Sequence, residues 1–142
     1  MEFDEAIIHF NKMYNLPLAD APTMSVQPNP KERLKNFLDI IREEVTEGED
    51  ILAKMEAGAD ELDILVDLAD WLGDIQVFCA SEMARYGLPI YIVLNAIMQS
   101  NFSKLGADGK PIYDARGKVQ KGPGYWKPEP KIRSIFESYR KD

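Results

Sequence analysis

Glu61-Leu-Asp63-Ile-Leu-Val-Asp67-Leu-Ala-Asp70-Trp71-Leu-Gly-Asp74-Ile-Gln-Val-Phe78-Cys79 is the stretch whose reading decides the fold. Asp63, Asp67, Asp70 and Asp74 recur at i, i+4, i+7 and i+11, the spacing of one helix face, and most of the remaining circumference is apolar. The stretch is therefore predicted to be a helix, capped by Asp60, running to about Tyr86 and closed by Gly87 and Pro89. Val77 and Phe78 flank the stripe beyond Asp74, so its Asp70–Asp74 end is expected to be enclosed, and Cys79 to pack in the core. Like charges one turn apart repel, and more strongly once desolvated, so a positive species is needed there.

The preceding segment repeats the conflict. Asn29-Pro30 starts a second helix, with Asn at the cap and Pro at the first helical position, and Gly58 stops it. Between about 30 and 57, Leu34, Phe37, Leu38, Ile41, Val45, Leu52 and Met55 fall on one side, with Gly48 among them to admit a close neighbour. Glu44 lies inside this apolar arc, Glu47 at its edge and Glu43 further out. A carboxylate turned into a core costs several kcal/mol unless protonated, paired or metal-bound. No Lys or Arg lies one turn away on that face.

A solvated acidic face would explain either helix alone. Two neighbouring helices that each offer carboxylates from a face due for burial are better explained by a shared divalent cation. Oxygen ligands without His or Cys suit Mg²⁺, with Mn²⁺ as substitute, and Mg²⁺ takes further ligands from substrate phosphates. Charge distribution agrees. Residues 55–84 hold eight acids and no Lys or Arg, whereas residues 104–133 hold eight bases against three acids. The net charge of −7 argues against a long nucleic acid as partner, but not against a small polyanion.

The 142 residues are expected to form one domain, 1–142, and its single cysteine permits no internal disulfide. No apolar run approaches a bilayer span and the acidic N-terminus is unlike a signal peptide, so no membrane partner and a cytoplasmic location are expected. Residues 3–14 read as a short helix followed by a proline-bearing arm. A fourth helix is expected from Pro89 to about Lys104, and Gly/Pro punctuation makes Gly106–Pro130 irregular, with a small hairpin around Asp114–Gly117. Ile132, Ile135, Phe136 and Tyr139 give the tail, Lys131–Lys141, helical spacing. The expected class is all-α, a four-to-five-helix bundle with an irregular basic segment before the C-terminal helix.

Glu43-Glu44-Val-Thr-Glu47, then 22 residues, then Asp70-Trp-Leu-Gly-Asp74 resembles the E-E-x-x-E helix and acidic second helix of the MazG-like all-α NTP pyrophosphohydrolases. That superfamily includes phosphoribosyl-ATP pyrophosphohydrolase. Ser100-Asn101-Phe102-Ser103-Lys104, Asp108-Gly-Lys-Pro111, Gly117-Lys118-Val-Gln-Lys121-Gly-Pro123, and His9-Phe10 with Tyr14-Asn-Leu-Pro17 are similar to stretches of its phosphoribosyl-ATP pyrophosphohydrolase-like branch. One departure is that Trp71 stands where many members have Glu, three residues before the last Asp; Asp70 can substitute from the same face. Whether Asp67 or Asp70 completes the shell stays open.

The resemblance implies Mg²⁺-dependent hydrolysis of an NTP or dNTP to monophosphate and pyrophosphate. Glu44, Glu47, Asp70 and Asp74 would hold the metal, and Glu43, or a carboxylate shared with the shell, would act as general base with Glu44 beside it. Lys104, Lys118 and Lys121 would meet phosphate oxygens, Asn101 sugar or phosphate, and Tyr125 or Trp126 the base. Relatives are commonly dimers or larger, so a homodimer or higher homo-oligomer is expected. Two other readings remain: a phosphoribosyl-ATP pyrophosphohydrolase of histidine synthesis, and a non-catalytic helical module that binds a cation or partner.

Overall fold

The structure, a computed structural model, describes residues 1–140. Its helices are α1 (Phe3–Met13), α2 (Pro30–Glu56), α3 (Glu61–Arg85), α4 (Ile90–Phe102) and α5 (Glu129–Ser138). The chain is all-α. Helix starts follow the expected chemistry: the Asn29 side chain accepts from the Glu32 N–H at 2.9 Å with Pro30 behind it, and the Asp60 side chain accepts from the Leu62 N–H at 3.1 Å. The tail helix starts two residues before the expected Lys131 and ends at Ser138; Lys141 lies outside the described residues. Among the described residues no single helix is long and apolar enough to cross a membrane.

The chain divides into two compact units, one spanning Met1–Leu88 and one beginning at Pro89. In the first, α3 is the centre, with α1 and α2 packed on it. Asn11 of α1 is fully buried; its Nδ2 donates to the Ser81 carbonyl at 3.3 Å, and Ser81 Oγ donates to Asn11 Oδ1 at 2.7 Å. This reciprocal pair satisfies two buried polar groups at once and fixes α1 against α3. The arm after α1 runs back over the end of α3, where the Thr23 N–H donates to the Tyr86 carbonyl at 2.9 Å. Its passage requires Gly87, because a Cβ there would stand 2.2 Å from the Ala21 carbonyl oxygen.

α2 and α3 run antiparallel, in a register set by Arg33 on Glu82, Trp71 on Glu44 and Lys54 on Asp67. Trp71 is the clasp. Its Nε1 donates to the Glu44 carbonyl at 2.9 Å, and its ring lies over Gly48, where an added Cβ would meet Cζ2 at 2.6 Å. Gly48→Ala should therefore lower the melting temperature. The gain in helix propensity, about 1 kcal/mol, is outweighed by overpacking against a rigid indole, about 1–3 kcal/mol. An unchanged or higher melting temperature in a thermal scan would show that the ring yields without cost.

In the second unit, α4 leads into the basic segment and α5 packs against α4. The expected hairpin is a single antiparallel bridge, Tyr113–Val119, turned at Gly117, with Asp114 Oδ1 accepting from the N–H groups of Arg116 and Lys118 at 2.9 Å each.

Two expectations about burial fail. Asp70 and Asp74 are exposed rather than enclosed, and Cys79 is exposed rather than packed in the core. The reason is common to both. Leu62, Leu65, Val66, Leu72 and Phe78 of α3 are themselves exposed, so the apolar surroundings that should close over these residues stay largely open to solvent.

Candidate functional site

Glu44 is 7% exposed, the one buried carboxylate among the described residues, and its Oε2 has no hydrogen-bond partner. α2 places it there because the arc that carries Phe37, Ile40 and Ile51 toward α3 carries position 44 with them. Burial pushes its carboxyl above the ordinary range. The nearby negative charge of Glu47, a carboxyl–carboxylate contact with that residue, and the charges of Asp74 and Glu43 push it the same way. Glu43, Glu47 and Asp74 are exposed around it. The α2–α3 pairing thus puts Glu43, Glu47 and Asp74 within electrostatic reach of Glu44, whose Oε2 has no partner.

Asp70 lies one turn along α3. With Glu47, Asp50, Asp67 and Trp71 it lines a groove of about 190 Å³ between α2 and α3. Lys54 closes the far end, its Nζ 2.7 Å from Asp67 Oδ2. The hydrogen bond to Asp67, and then the negative charge of that carboxylate, hold the Lys54 ammonium above its ordinary range. Asp67 is therefore already paired, and Asp70 is the carboxylate of the two without a cation. Lys54 also answers part of the demand for positive charge on the stripe, which no residue one turn away along the sequence could supply.

Among the described residues no three His, Cys, Asp or Glu side chains are drawn together tightly enough to hold a metal by themselves. Mg²⁺ would need only one or two of these carboxylates, with waters in its other positions. The chemistry of these side chains fits such an ion. A desolvated oxygen lacks a donor, its neighbours are carboxylates, and the nearby ammonium is spent on Asp67.

The second unit carries its own cluster. The Nζ atoms of Lys104 and Lys121 stand 6.0 Å and 5.0 Å from the ring centre of Tyr125. They are brought together because Gly122 lies directly on the Lys104–Leu105 backbone: its N–H donates to the Lys104 carbonyl at 2.8 Å, and a Cβ would collide with the Leu105 carbonyl oxygen at 1.8 Å. Ser103 Oγ accepts from the Trp126 N–H at 3.1 Å, and Ser100 Oγ donates to the Trp126 carbonyl at 2.8 Å, binding this loop to the end of α4. Lys118 is exposed on the hairpin turn and Asn101 is exposed on α4, neither drawn into the Lys104–Lys121–Tyr125 group.

Sequence reasoning missed a third grouping. Arg33 grips Glu82 through Nε and Nη2, at 2.9 Å and 2.7 Å, with Arg85 beside them; all three side chains are 12–14% exposed. The available signal was three charged residues on helix arcs otherwise due for burial.

A protein from Exiguobacterium sp. 255-15, described as a candidate NTP pyrophosphohydrolase, has a solved structure similar to this one. The match covers 98% of this chain and 97% of that one, at 23% identity and a TM-score of 0.52. The likeness is one of fold. No protein-family profile matches the sequence, and a search of curated proteins finds no match.

Proposed function

We propose that the protein is a Mg²⁺-dependent hydrolase that cuts an NTP or dNTP into monophosphate and pyrophosphate. The observation that carries this reading is Glu44: a buried carboxylate without a partner, ringed by Glu43, Glu47 and Asp74, in a fold shared with a candidate NTP pyrophosphohydrolase. Glu44, Glu47, Asp74 and Asp70 would hold the ion. Bound there, Mg²⁺ would neutralise charge developing on the phosphate. Glu43 would take the proton of the attacking water as its oxygen bonds to the α phosphorus; the Pα–O bond to the β phosphate breaks, and pyrophosphate leaves with that oxygen. The choice of the α phosphorus follows the resemblance of the motifs.

Lys104 and Lys121, flanking Tyr125, would bind phosphate oxygens, with Lys118 and Asn101 contributing from the same unit. Lys121→Ala is expected to raise KM about tenfold or more, with kcat changed less, if the contact is made equally in ground and transition states. An unchanged KM would remove Lys121 from the site.

The test of the function is product analysis with Mg²⁺ across a nucleotide panel that includes phosphoribosyl-ATP, comparing wild type with Glu44→Ala and Asp74→Ala. Pyrophosphate release by wild type that both changes abolish is the expected result; release that survives both sinks the mechanism. We further propose that the working form is a homodimer or larger, because α2 and α3 each leave an apolar stripe uncovered.

A further inference from the structure

α2 and α3 are joined by Arg33 on Glu82, Trp71 on Glu44 and Lys54 on Asp67, and among the described residues by no other hydrogen bond or ion pair. Arg33 precedes Glu44 by eleven residues and Glu82 follows Trp71 by eleven, about 16 Å along each axis. Lys54 lies ten residues beyond Glu44 on the other side. Trp71 is thus the polar tie at the level of the carboxylates.

That level is where the two helices repel. Glu44 on α2 feels the negative charge of Asp74 across the interface, as well as those of Glu47 and Glu43 on its own helix. Alongside, Glu47 and Asp50 of α2 share a groove with Asp67 and Asp70 of α3. Like charges this close push their helices apart, most strongly where one of them is desolvated, and Glu44 is buried.

Trp71 opposes the separation at two points. Its Nε1 donates to the Glu44 carbonyl at 2.9 Å, and a carbonyl oxygen has two lone pairs, so this bond adds to the helix's own ladder. Its six-membered ring lies over Gly48. Residues 44 and 48 bracket one turn of α2, and that turn carries Glu47. On α3, Trp71 directly follows Asp70 and precedes Asp74 by three residues. One side chain therefore reaches both halves of the carboxylate set.

We propose that the indole N–H of Trp71 is the positioning group of the candidate metal site, holding the Glu44–Glu47 turn of α2 against Asp70 and Asp74 of α3 in the metal-free protein. This rests on the reading that those carboxylates hold Mg²⁺. A cation binds the arrangement in which its ligands stand together, so its apparent affinity falls with the fraction of chains held that way. Without the tie, repulsion parts the turn from α3 in some of the population, and ion binding has to restore it.

Replacing Trp71 with 3-benzothienylalanine puts sulfur where the N–H was and keeps the shape of the rings, so the donor alone is lost. Mg²⁺ alone is titrated calorimetrically into the full chain, without nucleotide. The replacement should weaken Mg²⁺ binding about threefold or more, the scale of one net hydrogen bond, while the protein still melts cooperatively in chelator. A Trp71 that only packs would change the melting temperature and leave the Mg²⁺ affinity where it was. A smaller loss of affinity, or a wild type that takes no Mg²⁺, overturns the proposal. Trp71→Phe combined with Gly48→Ala, in which the alanine methyl enters space that the shorter ring vacates, takes the place of the first variant if that one does not fold. If neither folds, wild type decides: in chelator the Trp71 indole N–H should exchange with water about tenfold or more slowly than that of free N-acetyltryptophanamide, and unprotected exchange overturns the clasp. Weakened Mg²⁺ binding in the variant without pyrophosphate release by wild type would sink the hydrolase reading and leave the clasp; release by wild type with Mg²⁺ affinity intact in the variant does the reverse.

Discussion

Glu44→Gln is expected to lower pyrophosphate release by about a hundredfold to a thousandfold or more, the scale of losing one preorganised electrostatic contact, while raising the melting temperature of the metal-free protein. Loss of activity with gain of stability separates a functional carboxylate from a structural one. Glu44 is buried, has one oxygen without a donor, and faces the negative charge of Glu47, Asp74 and Glu43. Glutamine keeps the volume and removes the charge, so it relieves both the desolvation and the repulsion. With Mg²⁺ added, wild type should rise in melting temperature and the variant should not, because a cation stabilises only the form that binds it. Turnover retained in the variant, with identical melting curves, would mean that Glu44 holds nothing.

The same substitution has a pH signature whose sign is fixed. The Glu44 carboxyl is raised above its ordinary 4.5 in the folded state. Between that value and the raised one, the folded chain holds a proton that the unfolded chain has released, so stability falls as pH rises through the window. The contribution is fully present below the ordinary value and lost above the folded one. Glutamine does not titrate. Melting temperatures taken in chelator from about pH 4 to about pH 8 should coincide for wild type and Glu44→Gln at the acid end and separate toward neutrality, the variant being higher. A constant offset across the range would assign the difference to packing instead of charge.

The parts of this architecture that a sequence states outright are those set within one turn of helix. Asn29-Pro30 fixes a cap and a φ angle together, and Asp60 does the same for α3, so both starts were legible. Gly48 was legible as a contact because it interrupts an apolar stripe where no side chain fits, and Trp71 occupies that space. Register between helices is a different kind of information. Periodicity assigns Lys54 and Asp67 each to a face but does not say that the faces meet there, so the ion pair that occupies Asp67 was invisible. The Arg33–Glu82–Arg85 group escaped for the same reason. Exposure of Asp70 and Asp74 has another cause: hydrophobic spacing shows that a face needs covering without naming the chain that covers it.

That covering is the subject of the last expectation, that Leu52→Glu converts an oligomer into a less stable monomer. On α2, Leu34, Leu38, Ile41, Val45, Leu52 and Met55 keep the alternating four-and-three spacing of a coiled-coil seam, with Gly48, under the Trp71 ring, at the intervening place. Leu34, Leu38, Val45, Leu52 and Met55 are all exposed within one chain, Leu52 by 54%. On α3, Leu62, Leu65, Val66 and Leu72 form a second exposed stripe, with small Ala69 among them and Gly73 just beyond to permit close approach. Isolated apolar side chains on a surface need no explanation, but one stripe along α2 and a second along the first half of α3 exceed what monomers leave wet. A second copy offers the same two stripes, and two-fold pairing would bring like surface to like. Glutamate at position 52 would place an unpaired carboxylate in that seam, at a cost of several kcal/mol per copy. Sedimentation equilibrium should give a dimer or larger for wild type and a single chain for Leu52→Glu, and the variant should melt lower. If both sediment as single chains the homo-oligomer falls, and if both sediment as the same oligomer the copies meet somewhere other than this seam.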